Sequence, residues 1–313
     1  MTRSSKKKIS LGSWAFSFGP YADDPISFDA TVKRLAEAGY DGIEICGFPP
    51  HITLEKYSDE LTRRELVRFL RSYSVAVSGY AADLTDVNPT AEGNAERYLT
   101  LFEKNVRMCV DIGSPVIRVD TVAAPGSLQG GEYRTAMNRV AEIWRKAAGV
   151  AEKYEIQMVW EFEPGFVFNK PSEVVTLFDR VNHPNFRVLF DTSHAYMCGV
   201  VGARQFGSKE TLPGGVLQFL EMLKGRIGAI HLIDSDGTLH GDETSTHRPF
   251  GQGYVDFKAL LPGLLEVDVD WWCVDMCFWP NSWELVEPSL RFVRDLLASA
   301  PAKVEARPHS FSR

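Results

Sequence analysis

The sequence has no apolar run of the ~18 to 20 residues that a membrane-spanning helix needs, so no bilayer span is expected. Its basic opening, residues 1–8, lacks the apolar stretch of a secretory signal and reads as a short solvated tail. Residues 301–313 read as a second tail. Cysteine is scarce and odd in number, five in 313 residues. All lie in apolar surroundings, which argues for reduced thiols in a cytoplasmic protein and against a disulfide framework. Cys273 and Cys277 alone lack the paired spacing of structural zinc. Positive charge is also short: 34 Lys and Arg against 41 Asp and Glu leave a net charge of −7. That balance opposes a nucleic acid or an anionic membrane as the main partner. No Gly-x-Gly-x-x-Gly fingerprint follows the first strand-like run, which removes the best reason to expect a dinucleotide-binding fold. No linker-like change of composition divides residues 9–300, so they read as one domain.

What is present is a large apolar fraction, 44% hydrophobic against 24% charged, enough for a sizeable core. Eight apolar strand-like runs occupy residues 9–16, 42–48, 75–82, 116–122, 157–163, 186–191, 229–234 and 270–276. Helix-period stretches alternate with them at 28–38, 59–73, 91–112, 133–154, 172–181, 215–224, 256–265 and 283–298. Gly39 and Gly113 supply stops, and Ser27, Ser172 and Ser282 stand where helix caps are wanted. Strict alternation with continuous apolar strands implies a parallel sheet covered by helices. Eight such units predict a closed (β/α)8 TIM barrel, a fold routinely this long as one domain. The longest connection, residues 234–254, holds His240, Asp242, Glu243, His247 and Arg248, and a loop of that length in a compact domain is usually a lid or a binding loop.

Four of the apolar segments end in a metal-type ligand. They are Val159-Trp160-Glu161-Phe162-Glu163, Val188-Leu189-Phe190-Asp191-Thr192-Ser193-His194, Ala229-Ile230-His231-Leu232-Ile233-Asp234 and Trp272-Cys273-Val274-Asp275. Parallel α/β folds bind ligands at their strand C-termini, so these acids and imidazoles point to one oxygen-rich metal site. Side chains alternate along a strand, which turns Glu161 and Glu163 one way and Trp160 and Phe162 the other. The bland alternatives are a salt bridge from Glu163 to Arg118, a helix cap at Asp191, a surface histidine at His194 and a core histidine at His231. Glu161, Asp191, His231 and Asp275 together suit an octahedral ion, Mn²⁺ first and Mg²⁺ or Co²⁺ next, with positions left for substrate oxygens. Such an ion can chelate a carbonyl and an adjacent hydroxyl and support loss of a proton from the neighbouring carbon, with Glu161, Glu163 or Asp275 as the base and His194 also in the catalytic set. Trp14, Glu44, His194 and Arg248 are the candidate substrate-binding residues. Aromatics concentrate in the same regions (Trp14, Phe16, Phe48, Tyr80, Trp160, Phe166, Tyr196, Trp272, Phe278 and Trp279), which predicts a greasier pocket than a bare sugar phosphate needs.

Glu161, Asp191-x-x-His194, Ile230-His231-Leu232-Ile233-Asp234 and Pro249-Phe250-Gly251-Gln252-Gly253-Tyr254-Val255-Asp256-Phe257 resemble the xylose-isomerase-like TIM-barrel superfamily of sugar isomerases, ketose epimerases and inosose dehydratases. The likeness runs from Gly39-Tyr40-Asp41-Gly42-Ile43-Glu44 to the last helix. It implies metal ligands at Glu161, Asp191, His231 and Asp275, with His194 touching substrate. Most epimerases of the group carry glutamate at the last-strand position, and the shorter Asp275 argues against a standard two-glutamate epimerisation. More narrowly, residues 12–21 and 271–279 are similar to the larger subunit of bacterial C-glycoside deglycosidases. That likeness implies cleavage of the carbon–carbon bond between a 3-oxo sugar and an aromatic aglycone, a divalent metal, and a small β-sandwich partner subunit. The alternatives are a ketose epimerase or isomerase, and a non-catalytic sugar-binding accessory barrel. A DNA-repair endonuclease is opposed by the acidic charge.

Overall fold

The computed structural model describes residues 7–300. Eight parallel strands close into a barrel: β1 (Lys8–Gly12), β2 (Gly42–Cys46), β3 (Ala76–Ala81), β4 (Val116–Val119), β5 (Gln157–Glu161), β6 (Phe186–Asp191), β7 (Ile227–Leu232) and β10 (Trp271–Val274). Two further short strands, β8 (Leu239–His240) and β9 (Thr244–Ser245), pair antiparallel in the long connection after β7. The helices are α1 (Phe28–Ala38), α2 (Glu60–Ser72), α3 (Ala95–Ile112), α4 (Gly130–Glu152), α5 (Pro171–Val181), α6 (Thr192–Tyr196), α7 (Gly215–Met222), α8 (Phe257–Glu266) and α9 (Val286–Ala298). None among the described residues is long and apolar enough to cross a membrane. The barrel expected from strand–helix alternation is therefore what forms.

The core sits largely between the strands and the helices. Trp160 of β5 packs on Trp144 of α4 with ring centroids 5.4 Å apart, and Phe186 of β6 meets the same indole at 5.6 Å. Phe162 and Phe190 converge on Phe219 of α7. Each fully buried aromatic contributes roughly 2 to 3 kcal/mol by leaving water. All five cysteines are buried and unpaired.

Local chemistry sets most helix boundaries. The Ser27 hydroxyl accepts from the Ala30 N–H at 3.2 Å and starts α1, while Gly39 at φ 89° ends it in a conformation that favours glycine. Asp59 and Asp256 cap α2 and α8 in the same way. Two expected caps are corrected. Ser172 lies inside α5, which starts after Lys170, and its backbone N–H and hydroxyl bond Glu210 instead. Ser282 donates to the Trp279 carbonyl in a turn, and α9 starts at Val286. At the N-terminal end, Lys8 already belongs to β1 and Lys7 donates to the Val267 carbonyl at 3.1 Å, so these two residues of the expected tail 1–8 are held by the barrel. The rest of that tail and the one at 301–313 lie outside the described residues. Several strands also end earlier than the apolar runs suggest: β4 stops at Val119, β5 at Glu161 and β10 at Val274. Beyond those points the chain leaves the ladder to build the mouth of the barrel.

Candidate active site

The four residues expected to bind a metal meet at the C-terminal mouth. Glu161 ends β5, Asp191 ends β6, His231 is next to last in β7, and Asp275 directly follows β10. Register puts Asp191 opposite His231, and His231 opposite Cys273. One donor atom from each of Glu161, Asp191, His231 and Asp275 lies within 4.8 Å of the others, and all four residues are buried.

Each of the four is also held by a second contact at its other atom. The Arg118 guanidinium lies 2.6 Å from Glu161 Oε2. Asp191 Oδ1 accepts the His194 backbone N–H at 2.7 Å, and Asp275 Oδ1 accepts the Trp14 indole N–H at 2.6 Å. His231 Nε2 is 3.0 Å from Glu44 Oε2, which leaves Nδ1 to face the other three residues. His231 Nδ1 lies 3.0 Å from Glu161 Oε1 and 3.4 Å from Asp275 Oδ2. Yet Glu161 Oε1, Asp191 Oδ2 and His231 Nδ1 are buried without a well-formed hydrogen bond.

Buried polar atoms that converge without bonding one another call for a shared partner. Donors on opposite sides of an ion with ~2.1 Å bonds stand ~4.2 Å apart, so a spread of up to 4.8 Å suits one divalent cation after a small contraction. Three carboxylates and an imidazole, with no thiolate, suit a hard octahedral ion. Burial raises the Asp191 carboxyl above the ordinary carboxylate range, whereas Arg118 and the neighbouring histidines hold Glu161 and Asp275 below it. The residues fit a metal.

A cavity of about 340 Å³ opens over this quartet. Trp14, Arg118, Glu161, Glu163, His194, His247 and Asp275 line its polar part, and Phe18, Phe48, Phe166 and Phe278 its apolar part. Glu163 lies beyond the end of β5 yet lines the same cavity as Glu161, and its carboxylate accepts a hydrogen bond from the Thr244 hydroxyl. Burial, and next the charge of Glu161, raise its carboxyl to about 8. His194 is buried, with Nδ1 2.8 Å from the Ser245 hydroxyl, and burial lowers its pKa to about 3. Thr244 and Ser245 both belong to β9, so the small ribbon after β7 holds two side chains of the site.

Some placements differ from expectation. Arg118 pairs with Glu161, not Glu163, because residues 118 and 161 lie at the same side of adjacent strands. Glu44, expected at substrate, lies behind His231 with its carboxylate 3.0 Å from the imidazole Nε2; the β2–β3 pairing shifts just before it, where β3 carries the extra residue Ser78. Arg248, also expected at substrate, sits in a backbone bridge to Asp234, and its guanidinium reaches Asp236 and covers the Trp279 ring. Of the aromatics expected at the rim, Phe16, Tyr80, Trp160 and Trp272 are core residues, whereas Trp14, Phe48, Phe166 and Phe278 line the cavity. His247 was visible only as one member of a long loop. It is buried against the quartet, with Nδ1 3.4 Å from Asp275 Oδ1 and its ring 5.1 Å from that of His194. Glu243, another member of that long loop, also lines the cavity, as does Arg204, which carries no sequence signal that sets it apart from surface charges.

A closed parallel barrel with a cluster of potential metal ligands at its strand ends defines the class of fold. The chain belongs to the xylose isomerase-like TIM barrel family, whose model matches residues 32–296. No curated protein matches the sequence. Among solved structures, a D-tagatose 3-epimerase-like protein is 17% identical with a TM-score of 0.71, over 93% of this chain and 97% of that one. The probable 3-DHS dehydratase AsbF from Bacillus anthracis is 16% identical with a TM-score of 0.69, over 92% and 98%. The IolI protein, solved with a zinc atom, is 16% identical with a TM-score of 0.68, over 93% and 96%. At these identities the likeness concerns the fold.

Proposed function

We propose that this chain is a divalent-metal-dependent enzyme that removes a proton beside a sugar carbonyl, and that its reaction is cleavage of the carbon–carbon bond of a 3-oxo-C-glycoside. One observation carries the reading: a polar, metal-ready floor and an aromatic wall share one cavity of about 340 Å³. The floor suits the oxygens of a sugar, and the wall suits a flat aryl group. Mn²⁺ is the proposed ion, with Mg²⁺ or Co²⁺ as alternatives, held by Glu161, Asp191, His231 and Asp275. When bound, the ion supplies positive charge to a carbonyl oxygen as negative charge develops there.

Glu161 and Asp275 each have one oxygen committed to Arg118 or Trp14 and the other to the quartet. Glu163 lines the cavity outside the quartet and serves as the base. It takes the C2 proton, which the 3-oxo group acidifies. The C1–aryl bond then breaks, its electron pair leaves on the aryl carbon, and that carbon receives a proton. The products are a 1,2-unsaturated 3-oxo sugar and the free aglycone, with no net change of protons or electrons. His194, steadied by Ser245, holds a sugar hydroxyl.

The second reading is a ketose 3-epimerase. It draws on the named epimerases among the structural neighbours, such as the D-psicose 3-epimerase of Clostridium cellulolyticum H10 solved with D-tagatose. Asp275 weighs against it, because the short side chain is tied to the Trp14 indole. The lyase reading includes a small β-sandwich partner over the apolar mouth and a cytoplasmic setting for the unpaired cysteines. Purified chain, alone and with such a partner, is offered a 3-oxo-C-glycoside and a free ketose. Aglycone release from the pair is expected, and stereochemical inversion of the ketose by the chain alone would sink the lyase reading in favour of the epimerase.

A further inference from the structure

The four inner residues are held at their outer atoms by unlike partners. Asp191 is held by a backbone N–H, Asp275 by an indole N–H and His231 by a carboxylate. Glu161 is held by a guanidinium, the one full positive side-chain charge recorded on a carboxylate of the quartet by an arginine or lysine among the described residues. Arg118 is fixed for this task. Its side chain is 17% exposed, it arises from β4 in register with β5, and its guanidinium lies 5.3 Å from the Trp14 ring. Trp14 in turn donates to Asp275, so one Arg–Trp pair steadies two of the three carboxylates.

We infer that Arg118 is a positioning residue that limits Glu161 to a single donor oxygen and so keeps a coordination position open for substrate. A carboxylate can hold a cation through one oxygen or through both. With Oε2 committed to the guanidinium 2.6 Å away, only Oε1 faces the quartet. The same guanidinium offsets part of the site's negative charge and weakens its hold on a cation. Removing it therefore has two expected consequences of definite sign. The freed oxygen turns to the metal and occupies a position meant for substrate, and the metal is bound more tightly. An arginine that merely filled space would act in the opposite direction, since its loss would loosen the site and weaken metal binding. This inference rests on the metal reading of the quartet and not on which sugar reaction follows.

The test uses the full chain stripped with chelator, as wild type, R118Q and R118K. Each is titrated with Mn²⁺ by calorimetry, and the Co²⁺-loaded forms are titrated with acetohydroxamate, a small two-oxygen chelator, by visible absorption. In R118Q we expect Mn²⁺ to bind about threefold to tenfold more tightly and acetohydroxamate to bind at least about tenfold more weakly. R118K keeps the charge without the planar fork, so its Mn²⁺ affinity should stay within about threefold of wild type while acetohydroxamate still weakens. Circular dichroism establishes folding, and R118K alone decides the matter if R118Q does not fold. Wild-type acetohydroxamate binding in either folded variant overturns the inference, as does weaker Mn²⁺ binding by folded R118Q. A wild-type chain that takes up no Mn²⁺ removes the metal reading, and this inference with it.

Discussion

A carboxylate has two oxygens, and Asp191 uses them for different ends. Oδ1 caps α6 through the His194 N–H at 2.7 Å, while Oδ2 is buried, free of hydrogen bonds and turned to the quartet. The capping reading of this residue is met at Oδ1, and Oδ2 is left for the metal that we propose. Asp191→Ala should thus lose the metal and the activity together, and the missing cap should cost a further 0.5 to 2 kcal/mol or so. Elemental analysis after dialysis and a urea melt measure the two effects, and a variant that retains a full metal complement would remove Asp191 from the ligand set. Glu163→Gln should behave differently. It keeps the quartet intact, so metal content should match wild type while kcat falls by about 10²- to 10⁴-fold, the usual worth of a general base. Unchanged turnover would leave Glu163 as a structural partner of Thr244.

At the scale of the element, the segment after β7 behaves as a built part of the active site. The buried Asp234 carboxylate accepts the backbone N–H groups of Ser235, Gly251, Gly253 and Val255 at 2.8 to 3.0 Å. A side chain at position 253 would bring its Cβ to 2.4 Å from Asp234 Oδ1, which accounts for the second glycine of Gly251-Gln252-Gly253. This clasp closes the loop that carries Thr244 to Glu163, Ser245 to His194 and His247 to Asp275. Asp234→Ala leaves four donors without an acceptor, and hydrogen bonds to a charged group are each worth about 1.5 to 3 kcal/mol. We expect the variant to lose at least about 3 kcal/mol of stability, with faster amide exchange across residues 235–255. Wild-type exchange there would mean that other contacts hold the loop. The length of this segment marked it as functional, but its ribbon did not show in the sequence, since strands two residues long leave no alternation to detect.

For the whole molecule, the quartet links metal to folding. Arg118 and the histidines already support Glu161 and Asp275, while the buried Asp191 is raised by burial and by its two acidic neighbours, so a cation that relieves it should make the metal-loaded barrel the more stable form. At free metal of about 100 times Kd the gain is about 2.7 kcal/mol. For a chain of this size that corresponds to a rise in Tm of several degrees, at roughly 2 to 4 °C per kcal/mol. Scanning calorimetry with EDTA and with Mn²⁺ tests this, and an identical Tm in both would count against a metal in the quartet. In the same samples EDTA should abolish activity. Mn²⁺ or Co²⁺ should restore it better than Ca²⁺, which prefers longer bonds and more ligands. Full turnover in chelated protein would leave plain acid–base chemistry.

Taken by itself, the sequence determined the barrel and the identity of its inner residues, because both follow from short-range periodicity. Eight apolar runs separated by helix-length stretches allow few arrangements other than a closed parallel sheet, and Glu161, Asp191, His231 and Asp275 stand at or near the ends of such runs. The expected common side of Glu161 and Glu163 is met at the cavity, although β5 ends at Glu161 and the turn beyond it, not strand alternation, places Glu163. Only the tertiary structure decided which partners hold those residues. Arg118 lies 43 positions before the glutamate it holds, Trp14 is 261 from Asp275, and Glu44 is 187 from His231. Pairings at such separations come from closure of the sheet and strand register, including the shift between β2 and β3, and they leave no trace in any local pattern. The same reason sorted the aromatics: periodicity placed them near the strand ends, and closure decided that Trp14, Phe48, Phe166 and Phe278 face the cavity while Trp160 and Trp272 are buried in the core.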